Sequence, residues 1–213
     1  MDQTSQRNGQ GAFARQYLEM LCDVLRHLPI DDVVRVLDIL ETALLERRQV
    51  FLTGNGGSAA TASHMANDLS KTVSGGDLAQ PGFRAIALTD NVPLLAAWAN
   101  DVNFTEVFVG QLRSLAQAGD VLIVLSGSGN SSNLVRAVEW AGEHGLTTIG
   151  LLGRDGGVLR QLVDVAVVVP AEAYGPIEDA HLALNHLMTS YFQQRIGRLR
   201  EEAREGGSHD RAA

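Results

Sequence analysis

Five short runs of this chain are almost wholly apolar, and a helical pattern separates each from the next: Val50–Thr53, Ala85–Leu88, Val121–Leu125, Thr148–Leu152 and Val165–Val169. A strand with one face in water alternates apolar and polar residues. Unbroken runs instead point to strands covered on both faces, as in a parallel sheet. The intervening helical patterns lie near Ser58–Val73, Val92–Ala99, Phe104–Ala118, Ser131–Glu143 and Gly157–Leu162. Repeated strand–helix units cross over with one hand and place helices on both sheet faces, which predicts an α/β three-layer αβα sandwich with a five-stranded parallel sheet. Two amphipathic helices, about Gly11–His27 and Asp31–Arg47, precede it. Pro176 opens a last helix to about Leu199, where a first-turn proline is tolerated.

Composition narrows the classes. With 213 residues, 45% of them hydrophobic, the chain suits one domain with a substantial core. We expect a single domain over 11–200, with a helical pair at 11–47, an αβα core at 48–200, and flexible termini at 1–10 and 201–213. The net charge of −8 argues against a nucleic-acid groove built on overall basicity. No run reaches the roughly 18 apolar residues of a membrane span, and the start MDQTSQRNGQG lacks the order of a secretory signal. A cytoplasmic location, with no membrane partner, is the expectation. The single cysteine, Cys22, lies in an apolar helical pattern and reads as a small buried hydrophobe.

Ligands of such sheets bind beyond the carboxyl ends of the strands, and two loops there stand out. One is Gly54-Asn55-Gly56-Gly57-Ser58. The other is Ser126-Gly127-Ser128-Gly129-Asn130-Ser131, directly after VLIVL. Bare glycine backbone lets an anion approach, and the first N–H groups of the following helix are unpaired donors at the positive end of its dipole. The hydroxyls of Ser126, Ser128 and Ser131 add donors suited to a phosphate ester. Neither loop is a Walker A loop or a dinucleotide fingerprint. The plain alternative is that Ser58 and Ser131 only cap helices.

Behind the first loop stand His64 and Asp68, four residues apart and so on one helical face. Imidazole with carboxylate suits Zn²⁺ or a similar divalent ion. His186 adds a titratable imidazole able to move a proton. His181, within the last apolar helix, reads equally as a hydrogen-bonded core residue.

These residues carry a family resemblance. GNGGSAATASHMANDLS followed by LSGSGNSSNLVRAVEWA resembles the sugar isomerase (SIS) domains, specifically the phosphoheptose isomerase branch. WANDVNF, LLGRDGG and IEDAHLALNHLM extend the similarity from about Gly11 to Arg195. The resemblance implies a flavodoxin-like subunit of a homotetramer with active sites between subunits. It also implies isomerisation of sedoheptulose 7-phosphate to the seven-carbon aldose phosphate, for heptose synthesis. It assigns substrate contacts to Asn55, Gly56, Gly57, Ser58, Asn100 and Asp101, and phosphate to Ser126, Gly127, Ser128 and Ser131. His64, Asp68, Glu178 and His186 fall at the family's zinc and acid–base positions, with Asp68, Glu178 and His186 as catalytic candidates.

Three positions depart from the family's usual residues: Asp68 stands for glutamate, Glu178 for glutamine and Gly127 for a frequent threonine. The exchange between positions 68 and 178 leaves the base open between the two carboxylates. Glu178 and His186, eight residues apart, span roughly 12 Å of helix. They reach one ion only if Glu178 sits in an irregular turn beside Gly175 and Pro176, or if they serve different subunits' sites. Two readings stand beside the heptose isomerase: an isomerase of another phosphosugar, and a non-catalytic SIS adaptor or regulator of the kind that binds a replication initiator.

Overall fold

Strand β1 (Gln49–Gly54) is buried at all six positions and lies inside the sheet. The computed structural model describes residues 3–75 and 82–209, with side chains from 9 to 75 and from 82 to 198. β1 pairs with β2 (Arg84–Ala87) on one side and β3 (Val121–Ser126) on the other; β4 (Thr147–Gly153) and β5 (Val165–Val169) follow β3. The order is β2-β1-β3-β4-β5 and every pairing is parallel. The continuous apolar runs therefore mark fully buried strands at the centre of the sheet and not at its two edges, where β5 buries only alternate residues. β2 is an edge strand whose first three residues are not buried, Ile86 among them.

Strand alternation sends side chains to two cores. Val50, Leu52, Ile123, Leu125 and Leu151 meet α2 (Ile30–Leu45), α3 (Gly57–Ser70) and α8 (Tyr174–His209). Phe51, Leu122, Val124 and Leu152 meet the helices of the opposite face. Those are α5 (Val109–Leu115), α6 (Ser132–Glu143) and the short α7 (Leu159–Leu162). Leu184, Met188 and Phe192 of α8 are fully buried in the first core, where shortening such a residue to alanine costs about 2–5 kcal/mol.

Several elements differ from their sequence limits. Phe104–Ala118 is not one helix: a 3-10 turn at Phe104–Glu106, started by Asn103 accepting from Thr105 N–H, precedes α5. α4 (Val92–Asp101), capped by Asn91, buries none of its residues. α1 (Gln3–Arg26) starts before Gly11, and α8 runs unbroken from Tyr174 to His209 with Pro176 in its first turn. Residues 1–2 and 210–213 of the expected flexible termini lie outside the described residues. α1 rests on the body along one flank, burying Val24 and placing Tyr17 Oη 2.6 Å from Asp179 Oδ2. Cys22 falls on the other flank and is exposed, so it is not the core residue its apolar neighbourhood predicts.

No helix among the described residues is long and apolar enough to cross a membrane.

Candidate active site

The strand order reverses between β1 and β3, since β2 lies outward on one side and β4 on the other. The crevice at such a switch point receives ligands in doubly wound sheets. Both glycine–serine loops leave the sheet there, from Gly54 and Ser126. The amides of Asn55 and Asn133 tie them together, each donating to the other's Oδ1 at 2.9 Å. Asn55, Ser58, Ser126, Gly127, Ser128, Ser131, Tyr174 and Glu178 line one cavity of about 150 Å³.

The loops do more than cap helices. α3 is capped by Gly56, whose φ of 55° and ψ of −123° belong to a region nearly closed to other residues, while Ser58 lies one residue inside the helix. Ser131 holds the N-cap position of α6 without a side-chain cap bond. Ser126 Oγ accepts from Gly129 N–H at 3.0 Å and Ser128 Oγ from Asn130 N–H at 3.3 Å. A hydroxyl that accepts within its own loop keeps its proton for an anion in the cavity.

Beyond the loops, one face of α3 meets one face of α8. His64 Nε2 lies 3.4 Å from Asp68 Oδ2, and His186 Nε2 lies 4.0 Å from the same oxygen. The two imidazoles meet edge to face at 5.2 Å. One potential donor atom from each of the three residues falls within 4.8 Å of the others. Asp68 is buried, while the histidine side chains are 45% and 55% exposed, so the cluster opens outward. Two imidazoles and a carboxylate with an open side are a donor set that fits Zn²⁺ at a catalytic site. The buried carboxylate is satisfied by three neutral donors: Thr72 Oγ1 and Asn67 Nδ2 to Oδ1, and Asn185 Nδ2 to Oδ2.

Glu178 is not part of this cluster within one chain. It belongs to the regular helix α8, which removes the irregular turn as a route to a shared ion. Its carboxylate lies in the serine-lined cavity, against Gly57. Asn100 and Asp101 end α4, exposed and hydrogen-bonded to each other at 2.9 Å, and neither lines the cavity. His181 is a core residue, 1% exposed. Burial pushes its imidazole down to about 4, opposed weakly by the nearby Leu152 backbone. Neither ring nitrogen reaches hydrogen-bond geometry with a partner.

Five residues of the site escape the sequence reading: Asn67, Asn133, Tyr174, Thr72 and Asn185. Polar residues on the buried stripe of α6 and α8 are the available signal for Asn133 and Asn185. Nothing marks Tyr174 or Thr72 before the chain folds. A larger cleft, about 910 Å³, lies elsewhere, along the β2 edge between α3 and α4, with Ile86, Leu94, Trp98 and Leu115 in its walls. Of the site residues named above it holds only Asn67. Chemistry rather than size therefore locates the site.

Comparison with known proteins agrees with this geometry. The SIS domain pattern matches residues 14–153. A phosphoheptose isomerase of Geotalea daltonii is 37% identical over 77% of this chain and 84% of its own length. One from a Nitratiruptor species is 42% identical over 71% of this chain and 80% of its own. Among solved structures, phosphoheptose isomerase from Neisseria gonorrhoeae superposes with a TM-score of 0.77 at 32% identity, over 89% of this chain and 98% of that one. The chain belongs to the phosphoheptose isomerases of the SIS-domain family.

Proposed function

We propose that this protein interconverts sedoheptulose 7-phosphate and glycero-manno-heptose 7-phosphate, an aldose–ketose isomerisation that feeds heptose synthesis. The observation that carries the reading is a serine-lined anion cavity at the switch point together with a His–Asp–His cluster on α3 and α8, the helices that also border that cavity, in a chain whose relatives are phosphoheptose isomerases.

The isomerisation moves one proton between adjacent carbons and one between their oxygens. Ser126, Ser128 and Ser131, with Gly127 and the loop amides, hold the phosphate; Asn55, Gly56, Gly57 and Ser58 border the sugar. A divalent ion held by His64, Asp68 and His186, zinc in our reading, would polarise the carbonyl and stabilise the enediolate charge. We assign the carbon-bound proton to Glu178, because its carboxylate lies in the cavity itself. Asp68 has both oxygens engaged and faces the imidazoles. With Nε2 of His186 given to the ion, its Nδ1 side is what remains to pass the proton between the two oxygens. A sugar phosphate does not cross a bilayer unaided, so substrate and enzyme share the cytoplasm.

We place this chain in a homotetramer whose sites lie between subunits. The exposed β2 edge, the uncovered α4 and the apolar cleft between them support that assembly, as do Asn100 and Asp101, which stand outside their own chain's cavity. Light scattering is expected to give a tetramer at micromolar concentration; a stable monomer would remove the shared site.

A panel of five-, six- and seven-carbon ketose phosphates, followed by NMR in deuterated water, tests the function. The seven-carbon ester is expected to turn over best, with solvent deuterium entering the product. Preference for a shorter ester would change the substrate. Binding with no exchange for any ester would leave a sensor rather than an enzyme.

A further inference from the structure

The carboxylate that joins the two histidines is held from behind by a residue with no part in the steps above. Asn185, 0% exposed, donates Nδ2 to Asp68 Oδ2 at 2.9 Å. That oxygen is the one facing both His64 Nε2 and His186 Nε2. Thr72 Oγ1 holds the other oxygen at 3.1 Å. An aspartate has two free side-chain torsions, and unbraced it would spend time turned away from the imidazoles. The two donors restrict the torsions together, and Oδ2 keeps an unshared electron pair on its open side. Asn185 also directly precedes His186, so one turn of α8 delivers both a donor atom and the brace for its partner.

A purely structural role does not explain this residue. Its Oδ1 is buried without a hydrogen-bond partner, and an unsatisfied buried carbonyl costs free energy that an apolar side chain of similar size would not. Its neighbours Leu184 and Met188 are fully buried and apolar. The position gives up stability to point one amide at one oxygen.

We propose that Asn185 is a positioning residue, fixing Asp68 Oδ2 between His64 and His186 so that the three donors converge on one divalent ion. The proposal rests on the metal reading of the cluster. Groups that orient metal ligands typically change metal affinity by ~10–100-fold when removed.

Asn185→Leu removes both polar atoms and keeps the branched shape of the side chain. Titration of the full chain with Co²⁺, followed by visible absorption, is expected to show a dissociation constant weaker by ~10–100-fold. The thermal midpoint of the metal-free variant should fall only modestly, because the donor lost to the Asp68 carboxylate is partly offset by removal of the unpartnered Oδ1. Turnover lost at trace metal should return when Zn²⁺ is raised, with KM for the ester unchanged. Met188→Leu, a packing change on the same helix, should leave the metal constant alone. If Asn185→Leu fails to fold, Asn185→Ser carries the same expectation. An unchanged Co²⁺ constant beside a tight wild-type site would overturn the role of Asn185 alone. Absence of Co²⁺ binding by the wild-type chain would overturn the metal reading and this role together.

Discussion

The carboxylate of Glu178 rests on the bare α-carbon of Gly57. A β-carbon built at Gly57 would lie 2.6 Å from each of the two carboxylate oxygens. Gly57 opens α3, so the negative charge sits at the positive end of a helix dipole, where it is stabilised. Gly57→Ala moves only the flexible tip of Glu178, so stability should change little. Turnover should nevertheless fall by at least tenfold if that tip carries the carbon proton, since misplacing a reacting group is costly. Thermal melting and kcat measured on one preparation check both halves, and unchanged kcat would detach Glu178 from the chemistry.

The two carboxylates separate by paired substitution. Glu178→Gln should keep Co²⁺ affinity, because Glu178 lies outside the His64–Asp68–His186 cluster, yet lose ~10²–10⁴-fold in kcat as a removed base does. Asp68→Asn should weaken the metal instead, with turnover following metal occupancy. Turnover by Glu178→Gln at the wild-type rate would return the base to Asp68.

Ser128 and Ser131 belong to the phosphate cavity and not to the histidine cluster. The double change Ser128→Ala with Ser131→Ala should therefore raise KM by one to two orders of magnitude, two lost charge-assisted bonds at about 1.5 kcal/mol each, with a smaller effect on kcat. Steady-state kinetics decide it; a KM equal to wild type would take the phosphate out of this loop.

Gly127 faces the ring of Tyr174. A β-carbon there would come 2.8 Å from Cδ1 and Cε1 of a ring that also carries the Arg154 guanidinium 4.8 Å from its centroid. Gly127→Thr should push the ring aside and forfeit that contact, about 0.5–1 kcal/mol at an exposed site. The melting temperature should fall by about 1–4 °C. In a Tyr174→Ala background the same substitution should cost almost nothing, and an additive cycle would show that the two residues do not meet.

His181 makes stability pH-dependent. Its imidazole titrates near 4 when folded, against about 6.5 when exposed, so between these values the unfolded chain binds more protons. Its contribution is complete above about pH 6.5 and falls by up to about 1.4 kcal/mol per unit as pH drops toward 4. His181→Leu should flatten the melting temperature across that window. An equally steep profile in the variant would assign the acid sensitivity to other groups.

Much of this molecule follows from local pattern. Unbroken runs such as Val121–Leu125 announce buried parallel strands, because only a strand covered on both faces gains from being apolar throughout. Glycine and serine directly after a strand announce a turn into a helix, and four-residue spacing puts His64 and Asp68 on one face of α3 whatever surrounds it. Chain periodicity is short-ranged, and these features need nothing beyond it.

Folding decided what stands opposite what. Strand order placed the loops after β1 and β3 side by side at the switch point, although 70 residues of chain separate Ser126 from Gly56. Packing of α8 on α3 brought His186 to within 4.0 Å of Asp68 Oδ2 and set Asn185 behind it, while the straight run of the same helix carried Glu178 to the serine cavity instead. The edge position of β2 left Ile86 uncovered, and one-sided packing left Cys22 in solvent, both against their apolar surroundings in sequence. Contacts between distant segments depend on the global order of strands and the rotation of each helix about its axis, and no window of local sequence encodes either.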